Sequence, residues 1–335
     1  MIHENYSLKK HNTFGIDCSA RYFFEYTDVA KLHDFLRNDF QQTLPFFILG
    51  GGSNVLFTND FAGTIIHACN KGIEITRETN KTVRVRVAAG EVWDDFVAWA
   101  INRNLFGIEN LSLIPGTVGA SAVQNIGAYG MEAAQSIVAV HATHVKTLAQ
   151  KTFSTDECQF GYRESIFKTG QARNYCITGV EFLLHKQGNF LLNYGDLQQK
   201  FSAQNEQNLQ TLRHIICDIR NQKLPNPEIT GNAGSFFKNP LISQKQFVEL
   251  QQKFPTIVHY KAENGQVKIA AGWLIDNLGL KGFRVGGAQV HTQQALVLIN
   301  AGTATSADIV QLAEEIQRRV LQAYGVEISP EVLYV

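Results

Sequence analysis

The sequence has no excess of charge of either sign. Lys and Arg together number 30, Asp and Glu number 30, and no basic run occurs. Without a positive footprint for a phosphate backbone, nucleic acid binding is excluded as a function class. Long apolar runs are also missing: none reaches the roughly 18 residues that a membrane-spanning helix requires. The first ten residues are polar, with no apolar h-region, so no signal peptide is expected. The 5 cysteines (Cys18, Cys69, Cys158, Cys176 and Cys217) are scattered, odd in number and form no CxxC pair. A disulfide framework or a structural metal site is therefore not expected, and buried thiols in a reducing cytoplasm are. Repeats and low-complexity tracts are absent as well.

The chain does have length and apolar content. Its 335 residues are 44% hydrophobic. Single cores stop growing at roughly 250–300 residues, so two or three domains are expected. Apolar spacing predicts helices over 28–38, 91–102, 211–220, 243–254 and 306–324. The last carries the stripe Ile309, Leu312, Ile316 and Val320, with Gly325 placed to end it. Ser243 and Gln246 have the spacing of a capping box. Arginine alternates with valine over 83–87, the period of a strand. Strands are also expected over 55–57, 64–67, 295–300 and 326–335. The stretch 114–130 reads as a long loop of small residues, and Leu224-Pro225-Asn226-Pro227 as a domain boundary. Strands and helices do not alternate regularly, so the class is α+β rather than a doubly wound sheet.

Four segments carry chemistry. Gly50-Gly51-Gly52-Ser53-Asn54 lies between two expected strands. Three consecutive glycines can take φ > 0 and leave backbone N–H groups free to converge on phosphate; taken alone, the motif equally reads as a plain glycine turn. A dinucleotide fingerprint or P-loop would open a helix here, and neither motif is present. Residues 113–130 carry four glycines and no charge; such a surface lets main chain lie flat against a planar ligand, the alternative being a buried, packed connector. Gly231–Pro240 places Ser235 between Gly234 and two phenylalanines. This is not GxSxG, and no histidine is spaced to activate the serine, so Ser235 is a proton donor or a binding group. Gly161-Tyr162-Arg163-Glu164-Ser165 offers an arginine suited to a carboxylate or oxyanion; taken alone, it also reads as a surface Arg–Glu pair. Taken alone, Glu331 likewise reads as a surface carboxylate.

In order along the chain, Asn12–Ile16, the glycine turn, 114–130, Gly161–Ser165, Gly231–Pro240 and Pro330-Glu331-Val332 resemble the UDP-N-acetylenolpyruvoylglucosamine reductase family. Asn193-Tyr194-Gly195-Asp196-Leu197 resembles its form with an inserted tyrosine loop. The resemblance implies a two-lobed FAD-binding region of the vanillyl-alcohol-oxidase (PCMH) type plus a C-terminal α+β substrate domain. It divides the chain into 1–70 with 329–335, 71–219, and 220–328. It implies non-covalent FAD, because glycine stands where some relatives of the fold carry an attaching histidine. NADPH is the implied co-substrate and UDP-N-acetylglucosamine enolpyruvate the implied substrate, handled in the cytoplasm by a monomer. The implied catalytic residues are Arg163, Ser235 and Glu331. Arg163 would offset enolate charge and Ser235 would deliver the proton. Glu331 would act as a protonated donor or as an orienter of Ser235. For FAD the resemblance implies Gly50, Gly51, Gly52, Ser53, Asn54, Gly116, Gly119, Ser121, Asn125, Gly127 and Arg220. For the UDP-sugar it implies Tyr194, Lys223, Asn239, Tyr260, Lys281 and Gln294. Two rivals remain: another flavin oxidase of this fold, and a nucleotide-sugar-binding module. The first leaves Gly231–Pro240 unexplained, and the second leaves Arg163, Ser235 and Glu331 without a purpose.

Overall fold

The structure is a computed structural model that describes residues 2–262 and 265–335, and the chain divides into two compact units. The first comprises the residues up to Tyr6, Ala20–Gly51 and Ala62–Arg220. The second comprises Ser7–Ser19, Gly52–Phe61 and Asn221–Val335.

Two sheets build the first unit. One orders its strands Ile2–Ser7, Ser19–Tyr26, Phe61–Ala68 and Phe46–Leu49, with the last two parallel. The other is antiparallel throughout, ordered Gln150–Ser154, Ile137–His144, Tyr175–His185, Thr82–Ala88 and Ile73–Glu78. The predicted alternation holds: Val83, Val85 and Val87 are buried, while Arg86 is exposed. A slip of one residue would carry all three valines into water, which fixes the register. The Trp93–Ile101 helix buries Trp93, Phe96, Val97, Ala100 and Ile101, as its spacing predicts. The larger of these side chains, such as Phe96, Val97 and Ile101, each contribute roughly 1.5–3 kcal/mol on burial.

The 114–130 stretch is not the continuous loop expected. Val118–Gln124 is a helix, and Gly127–Ala128 pairs with Met131–Glu132. The reason is packing rather than propensity. A Cβ on Gly119 would stand 2.8 Å from the Ala89 Cβ, so this face meets its neighbour almost backbone to backbone. Small residues that read locally as loop formers permit that approach. Asn125, left-handed at φ 44°, ends the helix.

The second unit holds an antiparallel sheet ordered Asn232–Ser235, Val297–Asn300, Ala288–Val290 and Arg284–Val285. A three-stranded sheet follows, ordered Leu241–Ser243, Gln266–Ile269 and His259–Lys261. The Ser306–Tyr324 helix has the expected bounds, the four stripe residues are buried, and Gly325 is left-handed. The capping box at Ser243 is half made. Ser243 accepts from the Gln246 N–H at 3.2 Å, but the Gln246 side chain donates to the Gly325 carbonyl instead. The long final strand is also corrected: only Leu333–Tyr334 forms, parallel to Val55–Leu56. Pro330, lacking an N–H, makes only an isolated bridge with Phe237, and Glu331 lies before the strand rather than in it. All five cysteines are free thiols, three of them buried. No helix among the described residues is long and apolar enough to cross a membrane.

Candidate functional site

The glycine turn joins Phe46–Leu49 to Val55–Leu56, strand to strand. Within the first unit it meets the second glycine segment. A Cβ on Gly50 would lie 3.0 Å from both the Ala120 Cβ and the Thr117 Oγ1, and one on Gly51 would lie 2.9 Å from the Gly116 Cα. Two stretches remote in sequence thus form one cradle that any side chain would fill. Main chain exposed in this way suits the pyrophosphate of a dinucleotide, so the residues present fit FAD. Within the second unit, Gly52 takes φ +65°, and a Cβ there would overlap the His11 carbonyl. Thr13 donates its N–H to the Gly52 carbonyl at 3.1 Å, and Asn54 Nδ2 donates to the Glu331 carbonyl at 3.2 Å.

Arg163 sits in a tight turn closed by paired backbone bonds between Gly161 and Glu164. Its φ of +58° is uncommon for a residue with a side chain. The guanidinium donates from Nη2 to the Gly127 carbonyl and from Nη1 to the Asn125 carbonyl. The Glu132 carboxylate stands 4.0 Å away. A Cβ on Gly127 would lie 2.7 Å from Arg163 Nη1, so glycine makes the room for this arginine. Glu164 bonds Thr169 instead, so no surface Arg163–Glu164 pair forms. Asn125 commits its side chain inside the protein, donating to Glu132 and to the Gly161 carbonyl and accepting from the Ala134 N–H. Ser121 is buried and donates to the Val118 carbonyl. Neither side chain is turned out toward a ligand.

Arg220 is partly buried on the Leu209–Lys223 helix and donates from Nε to the Leu113 carbonyl. Burial pushes its pKa below the ordinary arginine value, and the neighbouring Tyr129, Cys217 and Asp94 partly offset this. Two turns earlier, Arg213 holds Asp94 in a bidentate pair at 2.7 and 2.8 Å. Burial raises the Asp94 pKa, but Arg213 and the Leu113 N–H outweigh it and leave the carboxyl below its usual range. Tyr129 in turn packs edge-on against Tyr194, ring centres 5.6 Å apart. Tyr194 is half exposed, beside a left-handed Gly195. Asn110, wholly buried, donates to the carbonyls of both Tyr129 and Leu191 and so ties the tyrosine loop to the glycine segment. Sequence reasoning passed over Asn110; a Glu109-Asn110 pair set between Ile108 and Leu111 was the available signal.

In the second unit, Ser235 ends its strand opposite Val297, after a left-handed Gly234. Ser235 is exposed, and among the described residues its hydroxyl bonds nothing. Buried Asn232 shapes the turn, accepting from the Gly234 N–H and donating to the Pro225 and Thr230 carbonyls. The Phe236 carbonyl accepts from the Glu331 N–H at 2.7 Å, and Lys238 N–H donates to Ser329. These bonds seat Glu331 opposite Phe236, one residue along the chain from Ser235. Asn239 accepts from the Ala271 N–H. Tyr260 pairs with Lys268 in the three-stranded sheet, and Gln294 accepts from the Val297 N–H through its main chain. Lys281 meets Asp276 at 2.7 Å, and Lys223 is exposed at its helix end.

Residues 225–335 match the C-terminal domain of UDP-N-acetylenolpyruvoylglucosamine reductase, and residues 20–146 match an FAD binding domain. The UDP-N-acetylenolpyruvoylglucosamine reductase of Bacteroides fragilis is 44% identical over 334 residues, covering 100% of both chains. The reductase structure from Thermus caldophilus superposes with a TM-score of 0.68 at 22% identity, covering 100% of this chain and 98% of that one. The 6-hydroxy-D-nicotine oxidase of Arthrobacter nicotinovorans gives 0.50 at 12%, covering 92% and 81%. The two structures bear on fold alone, and the fold is the expected one: a two-lobed flavin-binding region of the vanillyl-alcohol-oxidase type followed by an α+β domain. By its full-length identity and both domain matches, the chain belongs to the UDP-N-acetylenolpyruvoylglucosamine reductase family, FAD-dependent oxidoreductases.

Proposed function

We propose that the chain uses NADPH to reduce UDP-N-acetylglucosamine enolpyruvate to UDP-N-acetylmuramate, a peptidoglycan precursor, and does so as a monomer in the cytoplasm. One observation carries this reading. Ser235 presents an exposed hydroxyl with no partner among the described residues, and the next residue, Phe236, accepts the Glu331 N–H through its main chain. The chemistry FAD supplies when bound is hydride relay, from NADPH to the terminal carbon of the enolpyruvyl group. As that hydride arrives, the vinyl electron pair moves toward the carboxylate as an enolate. Arg163 stabilises that charge. Ser235 gives its proton to the adjacent carbon, which completes the reduction, and Glu331 assists there.

Gly50–Asn54 and Gly116 cradle the flavin's pyrophosphate in this reading. Gly119, Ser121, Asn125 and Gly127 shape the adjoining surface, and Arg220 adds charge. Tyr194, Lys223, Asn239, Tyr260, Lys281 and Gln294 take the UDP-sugar. The three-part division at about 70, 220 and 329 belongs to the same proposal; the two sheets of the first unit support its first boundary.

The first test is the flavin. The purified protein should be yellow, and acid precipitation should release intact FAD into the supernatant. FMN there would contradict the pyrophosphate cradle, and flavin in the pellet would mean a covalent bond. Without oxygen, NADPH should bleach the protein and the UDP-sugar should restore its colour; failure of the second step would sink the substrate assignment.

The tyrosine loop gives a second test. Tyr194→Phe keeps the ring packed on Tyr129 and removes only the hydroxyl. A hydrogen bond to a charged group is worth roughly 1.5–3 kcal/mol, so KM for the UDP-sugar should rise about ten-fold or more. Flavin reduction by NADPH should not change. An unaltered KM would take Tyr194 out of the site.

A further inference from the structure

Lys168 has no part in the reading above, yet it holds the main chain of Arg163. Its Nζ donates to Gln124 Oε1 at 2.6 Å and to the Arg163 carbonyl at 3.1 Å. Two further bonds tie the same turn to the same place. Ser165 Oγ donates to the Val123 carbonyl at 2.7 Å, and Asn125 Nδ2 donates to the Gly161 carbonyl at 2.9 Å. The end of the Val118–Gln124 helix, whose last carbonyls lack intrahelical donors, is therefore the anchor for the arginine turn.

The clamp answers a conformational problem. A non-glycine residue in the left-handed region is strained and stays there only where its surroundings over-determine it. Arg163 is held at φ +58° with its guanidinium lying over Gly127. Lys168 binds Arg163's own carbonyl, on the far side of the strained Cα from the bond that Asn125 makes to Gly161. Released at that carbonyl, the residue can relax to negative φ and swing its side chain off the Gly127 and Asn125 carbonyls.

We infer that Lys168 is a positioning residue for the reduction: its ammonium, seated on Gln124, fixes the Arg163 backbone in the left-handed conformation that aims the guanidinium. The inference rests on the role given to Arg163 above.

The experiment is a double-mutant cycle of Lys168→Met with Arg163→Ala in the full-length holoenzyme. Each half-reaction is followed anaerobically at the flavin band, with NADPH and then the enolpyruvyl UDP-sugar. Lys168→Met keeps the stem and removes the charge. Flavin reoxidation should slow about ten- to a hundred-fold, the scale of a misplaced catalytic group, with reduction by NADPH unchanged. Lys168→Arg should recover most of the loss. On the Arg163→Ala background, Lys168→Met should alter reoxidation by less than about two-fold, because its effect passes through Arg163. Additive losses, or equal slowing of both half-reactions, would overturn the inference. If Lys168→Met does not fold, Gln124→Met removes the ammonium's seat and replaces it in the cycle. A crystal structure of the lysine or glutamine variant separates this inference from the reading beneath it. Arg163 still near φ +58° over Gly127 refutes positioning, whereas Arg163 relaxed with Arg163→Ala fully active upholds positioning and refutes the arginine's catalytic role.

Discussion

Gly52→Ala should cost the protein most of its stability and its bound flavin, whereas Gly15→Ala should not. Both glycines are left-handed, at φ +65° and +64°. They differ in the space around them. A Cβ on Gly15 meets nothing within 4 Å, whereas one on Gly52 overlaps the His11 carbonyl oxygen. The main chain at His11 cannot readily yield. Buried Asn12 donates to the Leu8 and Ile16 carbonyls and accepts from the Ile16 N–H, stapling that loop on both sides. Thr13 donates to the Gly52 carbonyl and holds the two strands of chain at this spacing. Left-handed strain alone costs about 1–2 kcal/mol, and forcing an atom into a packed contact adds roughly 1–3 kcal/mol more. Gly15→Ala should therefore lower the melting temperature modestly and keep a full complement of FAD. Gly52→Ala should melt far lower and be isolated with little flavin. Equal losses in the two variants would show that conformation, not close approach, is what glycine supplies at 52.

What was legible in the sequence is what local forces decide. The valine–arginine alternation over 83–87 and the capped Ser306–Tyr324 helix carry their own periodicity and end signals, and both formed as expected. The Gly50–Asn54 turn was legible for the same reason, since strands flank it directly. The Val118–Gln124 helix was not. Its residues are too small to show a stripe, and what makes it a helix is Gly119 pressed on Ala89, thirty positions away. Arg163 shows the same limit from the side of the site. Its residue type suggested a carboxylate partner or a surface pair, but its guanidinium is aimed by two main-chain carbonyls 36 and 38 positions earlier. Carbonyls have no letter in a sequence. Lys168, Asn110 and Asn232 were missed for that reason, since each acts by bonding remote or turn backbone. The final strand failed for a readable reason: Pro330 was visible and should have ended it.

Ser235→Ala should leave one half-reaction intact and nearly abolish the other. The two half-reactions share a flavin, but only the second puts a proton on carbon. NADPH should thus reduce the variant's flavin at close to the native rate. Reoxidation by the enolpyruvyl UDP-sugar should slow by about 10²–10⁴-fold, the range for loss of a general acid. The substitution is structurally mild. Ser235 is exposed, no described group bonds its hydroxyl, and its neighbours Phe236 and Phe237 are anchored in the unit's core. The backbone pairing at this point runs through the N–H of Phe236 to Leu296 and through its carbonyl to Glu331, and alanine at 235 alters neither. Binding of FAD and of the UDP-sugar should therefore survive. Ser235→Cys should retain more activity than alanine, because a thiol still has a proton to give and is a stronger acid than a hydroxyl. Anaerobic stopped-flow at the flavin band follows the two steps separately. If alanine slows both equally, the serine is part of the turn rather than of the chemistry. If alanine and cysteine lose reoxidation alike, a hydroxyl is needed for its hydrogen-bond geometry and not for its proton, and the donor must be sought elsewhere.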